Sequence, residues 1–340
     1  MDGEEEAPKK YKGGYRQINK SLNICAFEDY LEAQVSRLPD LPDVEQISPR
    51  VLRILGQNPG KFTLQGTNTY LIGTGRSRLL IDTGQGLPEW TALLSHTLTT
   101  RNITLSHVLL THWHGDHTGG VPDLLRLYPH LANTSTSTSP GAGGIYKHTP
   151  NRDQHPIAHG QVFAVEGATV RAVHSPGHAP DHMCFVVEED GAMCTGDNVL
   201  GHGTAAVEHL GEWMRSLRAM QADAGSAVGY PAHGAVIPDL RGKIEGELAA
   251  KRKREDRVVK TLRGVRDNHG INSHQAGAKG RGSVTVRQLV AAVYGAGMDD
   301  QVRTMAVEPF IEEVLRKLAE DGKVAFEVKG GEKKWFLIQE

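Results

Sequence analysis

Four side chains able to bind a cation fall within six residues of this chain: His112, His114, Asp116 and His117, in the run His-Trp-His-Gly-Asp-His. They follow directly on the apolar stretch His107–Thr111. Three imidazoles and a carboxylate packed this tightly repel one another when protonated and are costly to desolvate empty. A divalent cation relieves both costs. The hexapeptide therefore reads as half of a metal site, and the other half should lie elsewhere in the chain.

Three further segments supply it. His178 stands after a Ser-Pro-Gly turn, Asp197 closes the run Met193-Cys-Thr-Gly, and His233 sits between Pro231-Ala232 and Gly234. Each lies at the end of a strand-like run, beside a Gly or Pro that lets the backbone turn sharply. Ligands distant in sequence can converge in this way on one edge of a sheet. Five His and two Asp are too many for one tetrahedral zinc and suit two metals that share a bridge. Two such cations lower the pKa of water toward neutrality and stabilise a developing oxyanion, which is the chemistry of hydrolysis. Asp116, able both to bind metal and to face that water, is the candidate proton shuttle. Imidazole-rich sites suit zinc, while carboxylate-containing binuclear sites also take manganese or iron. His96, His107, His130, His148, His155, His269 and His274 read as surface residues. His174, His182, His202 and His209, near the ligand segments, could orient the ligating imidazoles.

HxHxDH, a lone His, an Asp after Thr-Gly, and a lone His, in that order, resemble the metallo-β-lactamase superfamily over residues 50–240. The resemblance implies that His112, His114 and His178 hold a first metal. It places Asp116, His117 and His233 on a second, with Asp197 bridging. It also implies an αββα four-layer sandwich, and it makes Asp82, in Asp82-Thr-Gly84, a support for the metal loop rather than a ligand.

The positioning elements are legible as alternating runs. Val51–Leu55, Thr69–Ile72, Arg78–Ile81, Val162–Val165 and Cys184–Val187 predict strands, and Leu87–Thr99 and Val121–Tyr128 predict helices. Strands and helices in alternation imply sheets with helical cover, an α/β class of fold. Ahead of this catalytic region, residues 1–49 form a leader with a helix expected over Cys25–Leu38. The low-complexity stretch 133–144 is expected to be an inserted loop. Residues 241–282 carry 12 Lys and Arg against five Asp and Glu, which suggests a patch for an acidic partner or a solvated helix and linker. Residues 283–340 predict two helices, Val286–Tyr294 and Pro309–Glu320. A hairpin then runs from Lys323–Val328 to Lys333–Ile338, an order that resembles a winged helix.

Composition excludes several classes. The 340 residues carry a net charge of −2, so there is no global drive toward nucleic acid or membrane. Cys25, Cys184 and Cys194 are widely spaced and form neither a disulfide framework nor a CxxC site. The acidic N-terminus lacks the apolar core of a signal peptide, and no run reaches transmembrane length, so a cytoplasmic protein is expected.

A closer resemblance narrows the chemistry. Lys12–Asn19, Ala26–Tyr30, Leu55–Gly60 and Phe62–Asn68 are similar to fungal metallo-β-lactamase-type thioesterases, the family named for atrochrysone carboxyl ACP thioesterase. It implies hydrolysis of an aromatic polyketide thioester from the acyl carrier protein of a non-reducing polyketide synthase. A single-stranded RNA endonuclease of the β-lactamase-like group shares the ligand order and the tail. The chain is poor in aromatics and its basic residues cluster away from the ligand loops, which favours the thioesterase.

Overall fold

The computed structural model describes residues 38–132, 143–223, 226–273 and 282–338. The leader helix expected over Cys25–Leu38 and most of the 133–144 stretch lie outside these described residues.

Two sheets form the body. The first has seven strands in chain order: β1 (Val44–Gln46), β2 (Val51–Leu55), β3 (Asn68–Ile72), β4 (Ser77–Ile81), β5 (Thr104–Leu109), β6 (Gly144–Lys147) and β7 (His155–Pro156). Pairing is antiparallel from β1 to β4 and parallel from β4 to β7. The second sheet runs β8 (Val162–Val165), β9 (Ala168–His174), β10 (Met183–Val187), β11 (Ala192–Gly196) and β12 (Val228–Pro231). Only its β11–β12 pair is parallel.

Every residue of β2, β3, β10 and β11 is buried, because both faces of each sheet are covered. The period of two along β10 shows how. Phe185 and Val187 enter the core between the sheets, with Ile72, Leu79 and Leu109 of the first sheet. Cys184 and Val186 point the other way. The outer face of the first sheet is covered by α1 (Pro88–Thr100) and α3 (Val121–Leu127), through Trp90, Leu94, Leu98 and Leu124. Between them lies the one-turn α2 (Gly115–Thr118). The outer face of the second sheet is covered by α4 (Leu210–Ala222) and α5 (Leu240–Ser273). Helix, sheet, sheet, helix is the four-layer order expected.

Most of the basic stretch 241–282 lies in the 34-residue helix α5, and residues 274–281 lie outside the described residues. The helix is no mere solvated linker, since Leu240, Ile244, Leu248, Val258 and Leu262 are buried. Beyond it come α6 (Val286–Tyr294), α7 (Glu308–Glu320) and a hairpin of β13 (Val324–Lys329) and β14 (Glu332–Leu337). Leu289, Ile311, Leu315 and Trp335 of this tail share one apolar cluster with Trp213 of α4 and Met193 of β11. Among the described residues this cluster runs unbroken from the tail into the body. No helix among them is long and apolar enough to cross a membrane.

Candidate metal centre

The strand ends explain how seven distant side chains meet. The chain leaves β5 into His112–His117, leaves β9 into the turn bearing His178, leaves β11 at Asp197, and leaves β12 at His233. All four segments emerge from C-terminal strand ends on one rim of the sandwich. The turn after β11 needs glycine. Gly196 has φ +53, and a Cβ there would stand 2.4 Å from His182 Nε2.

The seven residues form two groups of ligand atoms: His112, His114, His178 and Asp197, and Asp116, His117 and His233. In the first, His112 Nε2 lies 2.8 Å from His114 Nδ1, and His178 Nε2 lies 3.2 and 3.0 Å from those two atoms. In the second, Asp116 Oδ2 is 3.2 Å from both His117 Nε2 and His233 Nε2. Asp197 divides between them. Its Oδ2 is 3.4 Å from His178 Nε2, while its Oδ1 is 3.3 Å from His233 Nε2 and 3.5 Å from His117 Nε2.

Outer partners assign the tautomers. His178 Nδ1 donates to the Ala206 carbonyl at 2.6 Å. His117 Nδ1 donates to Asp82 Oδ2 at 2.8 Å. Thr111 Oγ1 donates to Asp82, so it accepts from His112 Nδ1 at 3.0 Å. The rings of His112 and His178, held neutral by burial, therefore present an Nε2 lone pair to the centre. The lone pairs of His112 and His178 face each other at 3.2 Å, which is unfavourable without a cation between them. Tetrahedral zinc with Zn–N bonds of about 2.05 Å would hold ligand nitrogens about 3.3 Å apart, close to the spacing here. In the second group, His117 Nε2 and Asp197 Oδ1 are buried with no hydrogen bond of acceptable geometry. The donor set fits divalent cations.

Electrostatics separate the two groups. Burial, reinforced by neighbouring imidazoles, holds His112 far below the usual histidine range and His114 at about 3. Burial also pulls on His233, but Asp197 and Asp116 overcome it and raise that imidazole to about 10. His117 is raised in the same way, against its burial, by Asp116, Asp197 and Asp82. Burial works to raise the carboxyl of Asp116, and the imidazoles of His117 and His233 outweigh it, so the group sits well below the carboxylate range. The imidazoles of the first group are thus held neutral, while those of the second are held charged against Asp116 and Asp197.

Asp82 is buried at the end of β4 with φ +58, a conformation strained for a residue with a Cβ. Its carboxylate accepts from Thr111 N, Thr111 Oγ1 and His117 Nδ1, which fixes the path of the metal loop. Of the four histidines considered as orienting partners, His182 touches the ligand loop directly. Its Nε2 accepts the Asp197 N–H at 3.0 Å. His174 stacks on His148 instead, and His209 caps α4 and pairs with Glu320.

A cleft of about 490 Å³ opens over this rim, lined by Gln57–Thr63, Gln85, Leu87 and His114–Asp116. Asp116 is the most exposed carboxylate of the centre. Asn58 anchors the cleft wall, accepting from Thr67 N at 2.8 Å and donating to Thr67 Oγ1 at 3.0 Å. In the sequence this wall is marked by a Pro-Gly turn and by the segments similar to fungal thioesterases, and its place over Asp116 is not legible there.

The model of the metallo-beta-lactamase superfamily matches residues 62–233, which span all seven ligand candidates. The chain belongs to the metallo-beta-lactamase superfamily. This superfamily member is 66% identical to the "Atrochrysone carboxyl ACP thioesterase" of Aspergillus terreus, over 97% of this chain and 98% of that protein. It is 64% identical to the "Lactamase-like protein ptaB" of Pestalotiopsis fici, over 96% of this chain and 98% of that one. Among solved structures, a beta-lactamase domain protein from Burkholderia ambifaria aligns with TM-score 0.62 at 18% identity, over 88% of this chain and 95% of that one. That last likeness speaks for the fold.

Proposed function

We propose that this superfamily member hydrolyses the thioester joining an aromatic polyketide acid to the acyl carrier protein of a non-reducing polyketide synthase. The observation that carries the hydrolase reading is the division of Asp197, one oxygen toward each group of ligands. The substrate class rests on likeness to a thioesterase over nearly its full length. His112, His114 and His178 would hold one cation and Asp116, His117 and His233 the other, with Asp197 between them. Zinc is the metal we assign, because imidazole dominates the donor set. Bound there, the cations supply Lewis acidity toward a carbonyl oxygen and toward water.

The chain's own groups do the rest. Asp116, which lines the cleft, would take a proton from water entering from that side. The wall Gln57–Thr63 bounds the space for a flat acyl group, with Phe62 and Leu87 as its apolar surface. No acid need protonate the leaving group, because a thiol with a pKa of about 8.5 departs readily as thiolate. The carrier would dock on the exposed row Lys253, Arg257 and Lys260 of α5, whose spacing puts all three on one helix face.

Hydrolysis of an aromatic acyl thioester on a carrier protein, beside single-stranded RNA and with Asp197→Ala as control, tests the reading. Acid released from the thioester and lost in the mutant is the expected result. RNA cleavage without thioester turnover would overturn it.

A further inference from the structure

The loop between β11 and α4, residues 197–209, touches both groups of ligands. Gly201 N donates to the His233 carbonyl at 2.9 Å. The Ala206 carbonyl takes the Nδ1 proton of His178. Glu208 N and His209 N both reach the carbonyl of Gly177, the neighbour of His178, at 2.8 and 3.0 Å. Yet Gly203, Thr204 and Ala206 are exposed, and Ala205 is the one residue of 203–206 that is buried. Apolar packing alone does not fix a loop of that kind.

Two side chains from α5 do. Thr204 Oγ1 donates to Glu247 Oε2 at 2.7 Å, and Lys243 Nζ donates to the Gly203 carbonyl at 2.7 Å. Lys243 and Glu247 are one helical turn apart and pair at 3.2 Å. Glu247 is only 9% exposed, so its end of the contact with Thr204 is largely shielded from water. The pair thus grips consecutive residues of the loop, and Ala206 follows two positions later.

We propose that Glu247, braced by Lys243, is a positioning residue for His178, acting through Thr204 and the Ala206 carbonyl. The inference rests on the reading of His178 as a ligand. The Ala206 carbonyl selects the tautomer that leaves Nε2 free, and Glu247 holds that carbonyl in place. Partners of this outer kind commonly change metal affinity by about 10–100-fold when removed. The effect should be confined to the group of His112, His114 and His178.

The test is cobalt(II) titration of the metal-free full-length chain, read by its visible absorption and by equilibrium dialysis. Wild type should take two equivalents. Glu247→Ala and Thr204→Val should each weaken one equivalent about tenfold and alter its spectrum, leaving the other unchanged. Glu247→Gln, which keeps an acceptor for Thr204, should restore most of the affinity. Should Glu247→Ala fail to fold, Thr204→Val carries the test, since residue 204 is exposed. Wild-type affinity for both equivalents in folded variants would overturn the proposal. So would equal weakening of both equivalents alongside a lowered melting temperature of the metal-free protein, the mark of a merely structural role. His178→Ala separates the two levels. If it still binds two equivalents the ligand reading itself fails. If it loses one while the Glu247 and Thr204 variants lose nothing, only the present inference fails.

Discussion

Asp197 is the residue on which both groups of ligands depend, and its replacement should be the most damaging single change. Asp197→Ala is expected to lose at least one equivalent of metal and all measurable turnover while keeping its circular dichroism. Full activity in that mutant would remove the bridging role. Asp116→Asn should lower turnover more than metal content, since the amide can still coordinate but cannot take a proton; metal analysis beside kcat distinguishes the two. The four candidates of the hexapeptide were legible because imidazole and carboxylate at short spacing have few other reasons to cluster, and the three lone ones because each ends a strand-like run beside a Gly or Pro. The groups that assign their tautomers were less so. Ala206 acts through a backbone carbonyl, which its side chain does not announce. Asp82 could be noticed only through family resemblance, although its strained φ and three hydrogen-bonded partners make it the support of the metal loop.

At the scale of elements, the strands were the easier part. β2, β8 and α6 begin and end where the apolar runs do, because Gly, Pro and capping residues punctuate them. Thr285 even forms a capping box with Gln288. Helix α5 was harder. Its buried stripe, Leu240, Ile244, Leu248, Val258 and Leu262, is interrupted by Lys251 and Glu255, which are also buried. Lys251 lies over the Trp213 ring at 5.1 Å, and Glu255 pairs with Lys317 of α7 at 2.6 Å. Charges on the inner face hide the apolar period, so the helix looks like a solvated basic stretch. Glu255→Ala should therefore cost about 2 kcal/mol in denaturant unfolding, as loss of a charged hydrogen bond does. The cost stays below that of fully orphaning a buried charge, because Lys317 keeps Asp321 at 2.8 Å. On the outer face, reversing Lys253, Arg257 and Lys260 to Glu should raise KM for a carrier-bound thioester. It should leave a small free thioester unaffected; equal effects on both substrates would remove the docking role.

Across the whole molecule, one arrangement governs: the ligands hang from both sheets, and the tail is built into the outer core of the second. Chelation should leave the sandwich folded, because its three apolar clusters contain none of the ligands. Metal present at about 1,000 times its Kd should add about 4 kcal/mol to stability, read as a rise in melting temperature. Ending the chain at residue 273 should be far worse. It would strip Leu289, Ile311, Val314, Leu315 and Trp335 from the cluster around Trp213 and Met193. Binding of a hydrophobic dye and loss of solubility are the expected signs.

The order of the ligands along the chain sets an order in time. As the polypeptide leaves the ribosome, His112, His114 and His178 emerge well before His233, and Lys243 and Glu247 follow later still. The first group is complete only once Asp197 has been made and the second only once His233 has, so a shorter chain offers cations a partial grip. Loading of both groups is thereby reserved for a chain whose second sheet has been made, and the helix that grips the 197–209 loop follows it.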